Sequence, residues 1–360
     1  LLNLYSNDFS SSYIVLLPIS TMLLFINIPQ TIDLYYIWGD IDLTVENLSV
    51  GNMTVLIAVF KTTIFWFSGG SLSILLSHME MDRKETNTEE EIRRMMRIAT
   101  ICRKISIGST LTYYFIIILF VVTHILLIIY IGHVLILRCY FPYDKLSTPY
   151  YELTIFGQTM AGYCTGGTYT SVDTFVVTLV FHACGQFRNL RQQLSNLSPK
   201  NDYEFKTKLA QIVQKHDSLN RQFSDMLLLQ MLGCSVQLCV TCFQTLLALQ
   251  GNDEMILIQM LFFGFYLIYI LFQIYLYCYI GEQLITESMG IADAVYECQW
   301  YNLSPNQIKS LMIIMFRARV PMHITAAKFC SFSQKLFGKI LKTSMSYLSL
   351  LHAMNTVNAE

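Results

Sequence analysis

From Ile107 to Ile131 the chain carries no Asp, Glu, Lys or Arg. That run is longer than the roughly 20 apolar residues that cross the hydrocarbon core of a bilayer as a helix. Inside hydrocarbon every backbone N–H and C=O must find its partner within the segment, so such a run is helical. Further apolar segments run from about Ser12 to Tyr35, Leu48 to Phe67, Tyr169 to Cys184, Met226 to Leu249 and Met255 to Ile280. Pro18 and Pro29 lie in or at the end of the first, which a bundle tolerates when neighbours satisfy the freed carbonyls. A polytopic membrane chain follows, and composition agrees: charged residues are 14%, against about 25% in soluble domains. The net charge of −1 argues against a nucleic-acid partner. The first apolar run is not followed by a small-residue cleavage site, so no cleavable signal peptide is expected.

The basic residues orient the bundle. All but three of the 24 lie in three places: between segments two and three (Arg83 to Lys104), between four and five (Arg188 to Arg221), and after six (Lys309 to Lys342). The positive-inside rule then puts the N-terminus in the cytoplasm and the C-terminus outside. This is the reverse of a G-protein-coupled receptor. The outer loops are acidic, with Asp40, Asp42, Glu46, Asp144, Glu152, Asp253 and Glu254, a field that concentrates cations. Cys139 and Cys164 fall in one outer loop. A bridge between them would contribute roughly 3 kcal/mol of chain entropy, and both remaining free thiols is the alternative. Asn47-Leu48-Ser49 is a glycosylation acceptor on the outer side, whereas Asn196 and Asn302 lie inside and should stay bare.

The C-terminal seventy residues are the most informative. Ser304, Pro305 and Gln307 form a capping box with Pro in the first turn. The helix they start places Ile308, Leu311, Met312, Met315 and Phe316 on one face. A last segment, Ser333 to Met354, carries Lys335, Lys339, Lys342 and Ser346 as one stripe. Lipid would oppose such a stripe. The segment therefore lines a pore or cavity with a wet face, or it is a cytoplasmic amphipathic tail helix.

Ala294-Val295-Tyr296 followed by Trp300-Tyr301, Arg319 near Pro321-Met322-His323-Ile324-Thr325-Ala326, Phe337-x-x-Ile340-Leu341-Lys342-x-Ser344 and Ser346-Tyr347-x-x-Leu350-Leu351 together resemble the C-terminal signature of insect odorant receptors. The resemblance covers Ile291 to Leu351; the remainder agrees in length and hydropathy. It implies an all-α membrane protein of seven transmembrane helices with a cytoplasmic helical anchor domain. On that division, 1–280 hold helices one to six and the ligand pocket, 281–330 the anchor helices, and 331–360 the pore-lining seventh helix with a short extracellular tail. The implied function is the odorant-binding subunit of an odorant-gated, non-selective cation channel in the dendritic plasma membrane of olfactory neurons. The implied assembly is a heterotetramer with the shared co-receptor. The chain resembles a tuning subunit because the loop between segments four and five lacks the co-receptor's long insertion. Ser346, Leu350 and Met354 match the pore and gate region. Lys339 and Lys342 depart from the pattern by lying so close to the pore.

The resemblance places a pocket for a small, volatile, apolar ligand in the outer half of the bundle. Candidate lining residues are Leu56, Val59, Phe60, Phe120, His124, Leu127, Tyr169, Phe175, Phe263 and Tyr266, each of which could equally pack helix on helix. Lys61 is charged at membrane depth; it pairs with Asp173, bonds a backbone carbonyl, or snorkels to the surface. No enzyme, phosphate-loop, cofactor or metal-ligand motif is visible. Cys239 and Cys242 form the one Cys-x-x-Cys and read as small buried hydrophobes. Two other readings remain: a homomeric gustatory-type channel, and a G-protein-coupled receptor. The second lacks Asp-Arg-Tyr after segment three and Asn-Pro-x-x-Tyr in segment seven.

Overall fold

The computed structural model describes residues 15–85, 88–132, 134–145, 147–195, 227–246, 256–303, 305–326 and 330–359. They form α1 (Leu16–Tyr36), α2 (Ile41–Phe67), α3 (Gly69–Glu85), α4 (Glu89–Ile131), α5 (Tyr150–Ser195), α6 (Leu227–Leu246), α7 (Ile256–Glu297), α8 (Pro305–Ala318) and α9 (Gln334–Ala359). A two-stranded antiparallel hairpin, β1 (Thr325–Ala326) and β2 (Cys330–Ser331), precedes α9. Among the described residues five helices are long and apolar enough to cross a membrane: α1, α2, α4, α6 and α7. The other two expected spans are α5, whose inner face is rich in Thr, and α9, which carries the Lys stripe.

The helix α5 is the central element. It packs against α1, α2, α4 and α7. Small residues permit the close approaches: a methyl group on Gly166 would sit inside the Tyr113 ring of α4, and one on Gly157 inside the Phe25 ring of α1. The main core runs from Tyr113 and Ile116 of α4 through Val176 and Phe187 of α5 to Tyr277 and Leu284 of α7. At the far end of α7 the packing partners become α8 and α9.

Several helices outrun their apolar segments. The acidic stretch after segment one is a turn only as far as Asp40. Asp40 accepts a hydrogen bond from the Leu43 backbone N–H at 3.1 Å and starts α2 at Ile41. The Arg-rich region before segment three is helical too, being the ends of α3 and α4. Charged residues there are carried on helices that continue past the apolar stretch. The lysines from Lys200 to Lys215 and the acceptor Asn196 lie outside the described residues. Likewise α7 continues unbroken through position 280 to Glu297.

Three local expectations are corrected. Cys164 is not in a loop with Cys139: it lies well inside α5, and both are free thiols. The Cys139 Sγ accepts a hydrogen bond from Gln158 at 3.3 Å. Asn47 is 2% exposed, so it is no glycan acceptor. Its amide donates to the Gln30 carbonyl at 3.0 Å and its carbonyl accepts from Asn52 at 3.2 Å. On α8 the buried face is Leu311 and Ile314, flanked by Met315 and Ala318, whereas Met312 and Phe316 of the expected stripe are exposed. The stripe was apolar all round this turn, and α7 selected the side it covers.

The helix α9 has one packed and one open face. Ile340 and Ser344 are buried, with Leu336, Phe337 and Leu341 half-buried beside them. Lys335, Lys339, Lys342, Ser346 and Leu350 are exposed on the other side. Met354 lies among residues whose side chains are outside the described set.

Candidate ligand pocket

α1 and α2 depart from α-geometry where they face each other. A π-turn occupies Leu23–Asn27 in α1 and another occupies Leu48–Asn52 in α2. Such turns are rare and recur at functional sites. Buried amides hold the pair together: Asn27 donates to the Asn52 side chain at 3.1 Å, and Asn52 donates to Asn47. Leaving these groups unpaired would be costly, so the knot sets how α1 meets α2.

Both π-turns face a cavity of about 80 Å³. Ile26 comes from the first turn, and Val50 and Gly51 from the second. Tyr113, Ile117 and Phe120 of α4 and Gly162 and Thr165 of α5 form the sides, with Phe262, Tyr266 and Tyr269 of α7 opposite. The lining is overwhelmingly apolar, as sites for small organic molecules are. Rings dominate: Phe262 lies 5.0 Å from Phe120 and stacks on Tyr266 at 5.9 Å.

A strap after α4 covers the cavity with Ile136 and Leu137. Gly132, at φ 103°, turns the chain out of α4, a conformation that L side chains rarely adopt. The strap is then pinned along its length. The His124 ring bonds the Leu135 carbonyl at 2.7 Å, and the Tyr151 hydroxyl donates to the Val134 carbonyl at 3.2 Å. Gln158 pairs with both backbone groups of Leu137, each at 3.2 Å. Arg138 reaches Asp33 of α1 at 3.2 Å, and the Tyr140 N–H donates to the Pro29 carbonyl. Burial, helped by the nearby Asp33 charge, pushes the Cys139 thiol of the strap up to about 12.

Of the ten candidate lining residues, Phe120 and Tyr266 wall the cavity. His124 packs on Phe120 and holds the strap. Phe263 lies beside Phe262, half-buried. Leu56 and Phe60 are exposed at 44% and 40% on the outer side of α2, and Val59 and Leu127 are half-buried. Tyr169 and Phe175 lie elsewhere in α5, Phe175 edge-on to Phe65. Sequence reasoning missed the small and polar lining residues Gly51, Thr54, Gln158 and Gly162, and also the apolar and aromatic walls Tyr113, Ile117, Phe262 and Tyr269. An unusual density of Gly and Thr between Gly157 and Thr170 was the available signal.

A polar cluster is buried in the bundle interior among α2, α5 and α7. Lys61 Nζ meets Asp173 Oδ1 at 2.5 Å, with side chains 0% and 2% exposed. The Tyr277 hydroxyl donates to the same oxygen, and the ammonium lies 4.0 Å from the centre of the Tyr169 ring. Lys61 is therefore paired, not snorkelling.

A bundle of long apolar helices around an apolar cavity partly covered by a strap defines a multi-pass membrane protein. The chain belongs to the seven-transmembrane odorant receptor family, whose model, 7tm Odorant receptor, matches residues 42–345. It is 29% identical over 238 residues to odorant receptor 13a of Drosophila melanogaster, an alignment covering 59% of this chain and 56% of that one. Similarity to the odorant receptor coreceptor of Aedes aegypti is 31% over 142 residues, covering 39% of this chain and 28% of that protein. The fold matches the structure of the insect olfactory receptor OR5 from Machilis hrabei in complex with eugenol. The TM-score is 0.83 at 14% identity, with 94% of this chain and 88% of that one covered. The chain thus aligns with little more than half the length of the curated relative with the longer match.

Proposed function

We propose that this protein is the odorant-binding subunit of a ligand-gated, non-selective cation channel in the plasma membrane of olfactory neurons. One observation carries the reading: the partly enclosed apolar cavity between α1, α2, α4, α5 and α7, covered on one side by a pinned strap. Membership of the odorant receptor family supports it. The ligand is a small, volatile, largely apolar molecule.

The cavity is about half of the ~150 Å³ that encloses a benzene ring. A ring-sized odorant therefore enters only as the walls or strap move. An odorant that binds this widened form better than the closed one shifts the population toward it by that difference in affinity. In this reading four subunits, including the shared co-receptor, surround one pore. The open face of α9 lines it, with Ser346 and Leu350 exposed there and Met354 one turn further. The inner end of α7 with α8 forms the cytoplasmic anchor. Its exposed Tyr296, Trp300, Tyr301 and Phe316 suit a face that a neighbouring subunit covers. N-terminus inside and C-terminus outside follow from the basic residues.

The test is whole-cell current in a cell without endogenous receptors, with this chain alone and with the co-receptor, under an odorant panel and without GTP in the pipette. A rapid cation current that requires the co-receptor is expected. Current from this chain alone would favour the homomeric gustatory-type channel. A response that appears only when GTP is restored would overturn the channel reading.

A further inference from the structure

The cavity is sealed unevenly, and its weak place is the seam between α4 and α5. On the opposite walls Ile26, Thr54 and Tyr266 are buried, and Thr54 and Tyr266 share a hydrogen bond of 2.9 Å. On the seam the lining residues Val121 of α4 and Thr159 and Gly162 of α5 are only half-buried. They reach the cavity and the outside of the bundle at once.

Glycines show how closely the two helices approach along this seam. A methyl group on Gly166 would sit inside the Tyr113 ring, and the Tyr114 and Tyr163 rings lie 5.8 Å apart. There the seam is shut. One turn nearer the strap, a methyl group on Gly162 meets no atom within 4 Å among the described residues. The strap bounds this gap at its other end, where Gln158 holds Leu137. Outside the gap the surface is apolar: Ile118 and Val122 of α4 and Phe156 and Met160 of α5 are exposed. No Asp, Glu, Lys or Arg occurs from Ile107 to Ile131 or from Leu153 to Val172. In a multi-pass membrane protein such a surface faces lipid tails.

Resting on the ligand-pocket reading above, we propose that the seam at Gly162 is a lateral portal. The ligand reaches the cavity from the hydrocarbon of the bilayer, between α4 and α5, and not from water past the strap. A small apolar molecule collects in that hydrocarbon, because leaving water is favourable. From there only side chains at the seam must turn aside. The way past the strap instead breaks the bonds of His124, Tyr151, Gln158 and Arg138 that pin it. Gln158 is buried, and a buried amide left without partners is costly. Gly162 keeps the portal passable because it adds no side chain to the gap.

The experiment uses the purified full chain in lipid nanodiscs and fluorobenzene, a ring-sized apolar probe. Fluorine NMR follows its exchange among water, lipid and bound pools. The bound pool is expected to fill from lipid directly, with the water pool lagging. Ile118→Trp and Met160→Trp enlarge side chains beside the gap, on its lipid side and outside the cavity lining. Each is expected to slow entry and exit alike, about tenfold, with the bound fraction unchanged. A side chain on the route alters both rates equally, whereas damage to the pocket changes the bound fraction. If both Trp variants exchange like the parent, or the bound pool fills from water first, the portal is overturned and the pocket stands; Arg138→Gln, which loosens the strap, would then speed exchange. If no bound pool forms, or if it survives Gly162→Leu, the pocket reading falls and this proposal with it. Trp variants on two different helices keep the test decisive should one fail to fold.

Discussion

Replacing Lys61 with Met leaves the Asp173 carboxylate without its counter-charge in the interior of the bundle. At 2.5 Å the pair attracts by about 7 kcal/mol at an effective dielectric of about 20. Desolvation costs several kcal/mol for each ion, so the intact pair contributes little relative to apolar residues of the same volume. Removing one partner is different, because the other remains buried and unpaired, at a cost of about 3–5 kcal/mol. Here the expectation lies toward the upper end: Tyr277 bonds the same Asp173 oxygen and Tyr169 faces the ammonium, so a single change disturbs α2, α5 and α7 together. Lys61→Met and Asp173→Leu should each destabilise by that amount. The double variant should lie within about 1 kcal/mol of the parent protein. Unfolding of the purified protein by SDS titration measures all four members of the cycle. Single variants within 1 kcal/mol of the parent, or a double variant as unstable as the two singles combined, would refute the argument.

Three further outcomes are expected. Gly166→Ala drives a methyl group into the Tyr113 ring, so the ring must move, at about 1–3 kcal/mol. Gly162→Ala meets open space and should match or exceed the parent in thermal stability; equal losses in both would show that the α4–α5 contact is looser than described. Asn47→Ala leaves Asn52 short of an acceptor and should cost about 1–3 kcal/mol, while glycosidase treatment of the parent protein should leave its mobility unchanged; a glycan on Asn47 would mean that the α1–α2 knot opens. Cys139, buried and held up to about 12, should resist maleimide at pH 8 in the folded protein, and intact mass without reductant should show both Cys139 and Cys164 as thiols; a mass short by two hydrogens and rapid labelling only after reduction would restore the bridge.

The uncharged run at Ile107 made a membrane helix unavoidable, because hydrocarbon leaves the backbone no partner but itself. The Lys335, Lys339 and Lys342 stripe was equally legible. Its period belongs to one helix, and the opposite face of α9 is the packed one. The Asp173 partner of Lys61 was one of a short set of possibilities, since few carboxylates lie at that depth. The C-terminal motifs pointed to the family that the comparisons establish.

The cavity walls were less readable. Aromatic residues drew attention, yet Leu56 and Phe60 are exposed on the outer side of α2 while Thr54, about half a turn before Leu56, lines the cavity. A π-turn just before Met53 resets the facing of everything around it, and no propensity announces that turn. Cys164 was assigned to a loop because Thr and Gly at the start of α5 depress hydropathy, although those small residues are what let α1 and α4 pack close. Sequence alone determined the long apolar helices and which stripe of the last helix stays exposed, since charge content and periodicity are properties of one element. Tertiary structure decided which side chains meet: the strap over the cavity, the Thr54–Tyr266 contact and the free thiols. Those depend on how each helix is rotated and shifted against its neighbours, and ridge-into-groove packing across the whole bundle sets that relation.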